Sequence, residues 1–344
     1  MSRRLTRLVV VAALPALAIA ACNGDPAPED GATGGKASGG KASGGQGSGG
    51  KGSGGASSGG RATGGDGGSD DSEPVTIEFR AKLGDDAFSC GKKYKKQGSS
   101  EVEVTPQDLR LYVSELRLLS PSGDEVPVKF DERSPWQAPT VALLDFEDAS
   151  GGCKNGNKSM NTSITGRVPA GSYTGVIFST SVPKALNHAD PATLPDPLQA
   201  GGMSWGWLFG YKFIRAELIA TKAPAEDEKP GRGVFHLGST GCDNRPMGEG
   251  GAGGESSPQH GAPPAVDCSY QNRNEIRLDS FDPDNDAIVL DVSALMSDVD
   301  MSVDAQCHSM QMQMPCETLF PKIGVDSMTG APKESQTTFR VEAQ

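Results

Sequence analysis

A glycine-rich tract near the N-terminus limits how much of this chain can fold. Residues 31–68 read GATGGKASGGKASGGQGSGGKGSGGASSGGRATGGDGG and hold 19 glycines in 38 positions, without one large apolar side chain. Such a segment cannot bury enough apolar surface to offset the conformational entropy that it would lose on folding. We therefore predict a disordered, flexible linker, whose root-mean-square reach over about 50 residues is roughly 35–42 Å, followed by a folded domain.

The first residues have the pattern of an export signal. Arg3, Arg4 and Arg7 precede an apolar run over 8–21, which is 14 residues long. A membrane-spanning helix needs about 20 apolar residues, whereas basic residues followed by a short apolar run and small residues are typical of a secretory signal peptide. We predict that 1–21 is such a signal and that the folded part is exported.

The end of the apolar run predicts a lipid anchor. It reads IAAC at 19–22, which resembles a bacterial lipobox, whose cysteine becomes the lipidated first residue. We expect Cys22 to carry lipid and 22–74 to tether the domain; ordinary signal cleavage that leaves a spare thiol is the alternative. Asn23 stands where an Asp would suggest retention in the inner membrane. The resemblance therefore favours the outer membrane, with the domain in the periplasm or on the cell surface.

The charge balance argues against nucleic acid as a partner. The chain has 32 basic and 44 acidic residues, a formal net charge of −12. Residues 1–74 contain seven of each sign, so all of the excess negative charge belongs to 75–344. Binding to phosphates needs clustered Lys and Arg, which this balance does not favour.

Hydrophobic alternation predicts a β-rich domain over 75–344. Apolar and polar residues alternate from Val75 to Leu83, which is the pattern of a half-buried strand. Alternation over 109–113 resumes out of phase at Leu116, and a β-bulge between the two parts would restore the buried face. Further strands are predicted at 126–130, 141–146, 162–168, 173–180, 211–220, 233–237, 275–279, 287–291 and 337–342.

One short helix and several turns complete the pattern. Apolar residues recur at helical spacing from Val292 to Val299, with Asp291 placed as the N-cap. Many short strands separated by turn residues are typical of a sandwich or barrel. We predict an all-β, antiparallel sandwich or barrel-like domain with long loops, and a disordered loop over 247–265.

Cysteine usage predicts disulfides. If Cys22 is lipidated, six cysteines remain, an even number that favours disulfide bonds in an exported chain. The sequence contains no C-x-x-C pair, so a metal–thiolate site is the weaker alternative. Sequence alone leaves 15 connectivities open; chain order and short loops favour Cys90–Cys153, Cys242–Cys268 and Cys307–Cys316.

Two histidines and three tryptophans are candidates for a site. His188 lies in a predicted loop and His236 at the end of a predicted strand. Imidazole is the commonest metal ligand, and folding can bring two imidazoles from separate segments to one ion; hydrogen-bonded structural histidines are the alternative. Trp205 and Trp207 lie in an aromatic segment, and Trp136 lies elsewhere. Core packing is the usual role of such rings.

Five sequence blocks together resemble the MbnP-like proteins, the four-Cys member of the "metallo-mystery pair", which are similar to the methanotroph copper proteins CorA and MopE. Each block alone is weak, but the five occur in the family's order between about 75 and 342. The blocks are DLRLYVS at 108–114, LLDFE at 143–147, VPKALNH at 182–188, WGWLFGYKF at 205–213 and HLGSTGC at 236–242.

The resemblance implies export, an all-β fold and one copper ion held by two histidines and a kynurenine. The kynurenine would be made from tryptophan by a di-haem cytochrome-c-peroxidase-type partner. Carried onto this chain, the expected ligands are His188 and His236. In CorA and MopE the oxidised tryptophan stands two residues before a ligand histidine, a spacing absent here. This leaves Trp205 and Trp207 ahead of Trp136, or no modification.

A methionine run is a second, weaker soft-metal candidate. Residues His308, Met310, Met312 and Met314 lie between two cysteines, and an extended chain would place the three thioethers on one face. Thioether and imidazole both suit Cu(I). The favoured alternative is a strand or loop with an apolar Met face inside a small disulfide loop.

The sequence favours a binding protein over an enzyme. It contains no G-x-S-x-G elbow, H-E-x-x-H pair or P-loop. We expect a lipid-anchored, linker-extended β domain that binds copper for acquisition or trafficking and has no enzymatic activity. The alternative is a metal-free structural or adhesion lipoprotein of the cell surface.

Overall fold

The computed structural model describes residues 71–154, 156–206, 209–243 and 266–344. The predicted signal peptide, Cys22, nearly all of the tether and the loop at 247–265 lie outside these residues. The described part begins with a strand three residues earlier than the predicted domain boundary, because Ser72 already pairs with Pro169. Among the described residues, none of the helices has the length and apolar character that a bilayer span requires.

The described chain is built mainly from strands. In chain order they are β1 (Ser72–Leu83), β2 (Asp86–Ala87), β3 (Tyr94–Gln97), β4 (Val102–Leu119), β5 (Glu125–Pro127), β6 (Lys129–Phe130), β7 (Gln137–Ala138), β8 (Val141–Asp145), β9 (Ser163–Pro169), β10 (Gly175–Ser179), β11 (Ile214–Ala220), β12 (Arg232–Leu237), β13 (Thr240–Asp243), β14 (Asp267–Tyr270), β15 (Ile276–Leu278), β16 (Asp286–Asp291), β17 (Asp304–Cys307) and β18 (Phe339–Ala343).

The strands form two large sheets and a small one. The first has the order β18-β16-β1-β9-β6, with β2 beside β1. The second has the order β15-β10-β4-β11-β12-β17, with β3, β5 and β8 also on β4 and β7 on β8. Strands β13 and β14 pair separately. The all-β prediction is confirmed, with one departure: β1 pairs with β16 and β12 with β17 in parallel, whereas every other pair among the described strands is antiparallel.

Aromatic rings join the two large sheets. Phe79 of β1 meets Phe178 of β10 edge to face, with ring centroids 5.7 Å apart. Phe339 of β18 meets the same ring at 5.2 Å. These side chains are almost completely buried. Such pairs add to the hydrophobic gain of their burial, so the core lies between the sheets, as the sandwich prediction requires.

Strand β4 contains the bulge that the sequence predicts. Ser114 pairs with Ser179 and Arg117 with Ile177, so β4 has one residue more than its partner between these pairs. Glu115 takes the extra position with φ of +56° and an exposed side chain. The bulge returns Leu116 and Leu118 to the buried face, as expected from their phase.

Three short α-helices occur in the described chain: α1 (Lys184–Asn187), α2 (Val292–Met296) and α3 (Cys316–Lys322). The helix predicted from 292 is α2, and its cap is also confirmed, because the Asp291 side chain accepts a hydrogen bond from the backbone N–H of Ala294. A single 3-10 turn lies at Pro191–Thr193.

Three disulfide bonds cross-link the described part of the chain. They join Cys90 to Cys153, Cys242 to Cys268 and Cys307 to Cys316. These are the pairs that chain order favours. The second bond links β13 to β14. The third joins two cysteines that are nine positions apart in the sequence, and it closes the loop that follows β17.

Candidate metal centre

His236 lies near the end of β12 and faces a carboxylate on the neighbouring strand. It stands opposite Arg215 of β11, so Glu217, two residues further along β11, is its diagonal neighbour on the same face. The Nε2 atom of His236 lies 2.7 Å from Oε1 of Glu217. The imidazole is buried, with 7% of the residue exposed. The sheet register therefore fixes the orientation of this ring.

His308 is brought to the same place by parallel pairing of β17 with β12. Cys307, the last residue of β17, pairs with Phe235, and the residue that follows each of them in the chain is a histidine. The Nδ1 atoms of His236 and His308 lie 3.0 Å apart, and the ring centroids are 4.8 Å apart. The His308 side chain is exposed. The two imidazoles thus form a pair at the rim of the second sheet.

The hydrogen-bond partners of the two Nε2 atoms identify the tautomers of His236 and His308. Nε2 of His236 contacts the carboxylate of Glu217, and Nε2 of His308 lies 3.1 Å from Oε1 of Gln306. The amide nitrogen of Gln306 donates to Asp304, which fixes that amide's orientation. Since both partners are acceptors, each Nε2 carries the hydrogen and each Nδ1 carries a lone pair.

Two lone pairs that face each other at 3.0 Å cannot form a hydrogen bond unless a proton is added. They can instead share a metal ion, because both nitrogens at this separation can lie about 2.0 Å from one ion. The carboxylate behind His236 is the arrangement that commonly orients a metal-binding imidazole. The donor set fits a cation that prefers nitrogen ligands.

The surroundings of the imidazole pair favour its neutral form. Burial lowers the pKa of His236, although the carboxylate of Glu217 raises it, and partial desolvation together with the neighbouring His236 lowers the pKa of His308. Burial alone would raise the pKa of Glu217, but hydrogen bonds from His236 and Arg215 outweigh it and bring that pKa to about 2. Neutral imidazole beside an ionised carboxylate is the form that binds metal.

Charged side chains on β4 and β11 hold Glu217 in place. Arg215 contacts Oε1 of Glu217 at 2.7 Å and Oδ2 of Asp108 at 3.1 Å. Asp108 in turn pairs with Arg110 at 2.6 Å, and both of these side chains are almost fully buried. A connected set of ion pairs of this kind restricts the rotamers of its members, so the carboxylate behind His236 has one defined position.

Trp205 is the predicted tryptophan that the structure places beside the pair. Its ring centroid lies 6.4 Å from that of His236. The ring also covers Gly238, where an added Cβ would lie 2.4 Å from Cζ3 of the indole. Lys212 places its Nζ 5.5 Å from the indole. Trp207 lies outside the described residues, and Trp136 is half-buried against the hydrophobic core near β7.

His188 lies in a different cluster. It caps the C-terminus of α1, and its Nε2 is 2.9 Å from the amide nitrogen of Asn187 and 3.2 Å from Sγ of Cys268. One ligand atom each from His188, Cys242 and Cys268 lie within 4.8 Å of one another. Because the sulfurs are joined in a disulfide, they are not the thiolates that bind metals.

A similar cluster of Cys90, Glu147 and Cys153 also contains a disulfide. The joint binding of one ion by His188 and His236 stays a prediction. The partner that sequence reasoning did not assign to His236 is His308. Strand β17 reads DAQC. This segment is too short and too polar to be predicted as a strand from the sequence, so its parallel register with β12 could not be predicted either.

Two packed β-sheets, three disulfides and an imidazole pair at one sheet edge define a disulfide-bonded β-sandwich with a candidate nitrogen-ligand metal centre. A sequence profile of the MbnP family matches residues 72–310, and the chain belongs to that family. The solved structure of MbnP from Methylosinus trichosporium is similar, with 28% sequence identity and a TM-score of 0.65; the match covers 79% of this chain and 99% of that one. No functionally curated protein matches this sequence.

Proposed function

We propose that this protein binds one copper ion between Nδ1 of His236 and Nδ1 of His308. The observation that carries the proposal is the 3.0 Å approach of these two atoms, each of which has its other ring nitrogen engaged with an acceptor. Imidazole suits copper, which also binds nitrogen sites most tightly among the common divalent metals. Membership of the MbnP family supports copper over other cations, because proteins that resemble this family are expected to bind copper.

Trp205 is the residue that we propose as the source of a third ligand. An indole offers only an N–H donor, whereas kynurenine offers an aromatic amine. Of the tryptophans described, Trp205 has its ring beside His236. A di-haem peroxidase-type partner would supply the oxidising equivalents from two hydrogen peroxide molecules. Two oxygen atoms add across the C2–C3 bond of the indole, which breaks as two waters form. Hydrolysis then releases C2 as formate and leaves the amine.

The proposal includes an exported protein that acts in copper acquisition or trafficking and is a substrate of its partner, without enzymatic activity of its own. The arginines and apolar run of 1–21 support secretion, the sequence at 19–22 supports lipidation of Cys22 in the outer membrane, and the glycine-rich 31–68 supports a tether. Metabolic labelling with a radioactive fatty acid tests the anchor, because the variant Cys22→Ala should lose the label.

Retention of copper tests the central proposal. The purified protein is loaded with copper, dialysed against a weak chelator and analysed for metal. One equivalent should remain. If none remains, copper binding is refuted and the metal-free surface lipoprotein becomes the better explanation. Peptide mass spectrometry of protein made with and without the di-haem partner tests the oxidation: a mass matching kynurenine at Trp205, seen only with the partner, is expected.

A further inference from the structure

The loop closed by the Cys307–Cys316 disulfide is held to the domain by alternate residues. Ser309 is fully buried, and its hydroxyl accepts from the backbone N–H of Gly238 at 2.7 Å and donates to the carbonyl of His236 at 2.7 Å. Gln311 donates from its side-chain amide to Oδ1 of Asn272 at 2.5 Å. The loop is therefore anchored to the backbone of His236 and Gly238 and to the side chain of Asn272.

Three methionines, one between these anchors and two after them, project into solvent. Met310, Met312 and Met314 have exposed fractions of 53%, 67% and 62%. These side chains therefore do not pack into the hydrophobic core. Large apolar side chains that are more than half exposed gain little from burial, and three of them within five residues form an apolar patch whose position needs another explanation.

The loop is not the extended strand in which alternate thioethers share one face. Ser309 and Met312 both have positive φ, +64° and +54°, and turns replace strand structure after Cys307. Non-glycine residues in this region store strain that the surrounding structure must hold. Strain of this kind is commonly found at ligand-binding positions. Here the two positive-φ residues lie in the turns that follow β17 and contain the methionine segment.

We infer that the thioethers of Met310, Met312 and Met314 form a second metal site, selective for Cu(I) over Cu(II), on the loop that follows His308. Thioether sulfur is a soft, neutral ligand that favours Cu(I). Methionine has three rotatable side-chain bonds, so exposed thioethers on one short loop can turn toward one ion. His308 contacts His236 and stands two residues before Met310 in the same segment, which suits passage of Cu(I) inward.

The binding of Cu(I) at this loop stands apart from the proposed function, and only the passage of the ion to His236 rests on it. The chain supplies a matched control, because Met160 and Met328 are also exposed, at 53% and 65%, but lie outside the loop. A site made by the loop predicts a response confined to its three methionines. If exposure alone governs binding, all five exposed methionines of the described residues should respond equally.

The experiment uses Ag(I) as a redox-inert substitute for Cu(I), with the full-length protein labelled at the methionine methyl carbons. During titration followed by carbon NMR, the methyl signals of Met310, Met312 and Met314 should shift and saturate together, while those of Met160 and Met328 stay in place. Anaerobic Cu(I) titration against a chromophoric chelator should then show one equivalent lost in M310L/M312L/M314L and none lost in M160L/M328L. Cu(II) binding should not change in either variant.

Two outcomes would overturn the loop site: equal shifts of all exposed methionine methyls, or full Cu(I) binding by M310L/M312L/M314L. The variant His236→Gln separates this test from that of the proposed function. It should lose the equivalent held by the imidazole pair and keep the silver-dependent methyl shifts. If H236Q keeps both equivalents, the imidazole proposal fails while the loop site stands.

Discussion

Two buried histidines of this domain lie in contrasting surroundings. His188 faces the disulfide between Cys242 and Cys268, whose sulfurs have no negative charge to offer a metal. His236 faces a second imidazole at 3.0 Å and has a carboxylate behind it. Both rings are similarly shielded from solvent, with 8% and 7% of the residues exposed. Burial and residue type therefore do not distinguish a ligand from a structural histidine.

What distinguishes the two is the chemistry that meets the ring nitrogens. At His236, Nε2 is engaged by Glu217, and Nδ1 faces the lone pair on Nδ1 of His308, an arrangement that favours a cation between the two nitrogens. At His188 the Nε2 atom already has an amide nitrogen and a disulfide sulfur within reach. The comparison predicts that copper depends on His236 and His308 and tolerates loss of His188.

The largest expected effect comes from removing either member of the pair. His236→Ala and His308→Ala should each reduce retained copper from one equivalent to none, because one imidazole alone cannot hold the ion against a chelator. His188→Ala should retain copper. Metal analysis after dialysis measures all three, and thermal unfolding checks that each variant folds. Loss of copper from H188A, with H308A unaffected, would reverse the comparison and restore the pairing of His188 with His236.

The second effect concerns the disulfide that contacts His188. The double variant C242A/C268A removes a cross-link with a sequence separation of 26. Chain-entropy arguments then give a loss of roughly 2–4 kcal/mol in the free energy of unfolding. Copper retention should stay at one equivalent, because no atom of the imidazole pair touches these sulfurs among the contacts of the described residues. Urea unfolding measures the first quantity, and a variant that unfolds normally but loses copper would contradict the separation of the two clusters.

Much of the fold could be predicted because its signals are local. Alternation identified β1, a change of phase identified the bulge at Glu115, and helical spacing with Asp291 identified α2. Each depends on residues close in sequence. The parallel pairs could not be predicted. The residues that pair between β1 and β16 are about two hundred positions apart in the sequence, and the hydrophobic pattern of a strand does not indicate which strand it pairs with.

Only part of the candidate site could be predicted from the sequence, for the same reason. His236 stood out as a histidine at a strand end, and Trp205 as part of an aromatic segment. His308 was recognised only as a neighbour of methionines, because its approach to His236 depends on the register of β17 with β12. Glu217 carried no signal at all, since a glutamate on a strand is typical of a solvent-facing position.

The third effect tests the carboxylate behind the pair. Glu217→Ala should weaken copper binding by roughly 10–100-fold, the usual cost of losing a partner that orients a metal-bound imidazole. Glu217→Gln keeps an acceptor for Nε2 of His236 and should lose less. Chelator competition measures both. The control is Glu342→Gln, which also removes a carboxylate paired with Lys82 and Arg340 but lies on the first sheet. Equal weakening by E342Q would show that total charge, not orientation, governs affinity.

The smallest effect is the response to mild acid. Copper binds neutral imidazole, so protons compete as the pH falls through the histidine pKa. Two imidazoles with the ordinary pKa near 6.5 would each be half protonated at that pH, and affinity would fall about fourfold from its alkaline value. Burial lowers the pKa of His236 and His308, which moves the loss to lower pH, so the fall by pH 6.5 should be less than about fourfold. H188A should give the same profile. A greater fall in the wild type would show that at least one ring of the pair is not neutral in the folded protein, and a changed profile in H188A would join the two clusters that the structure separates.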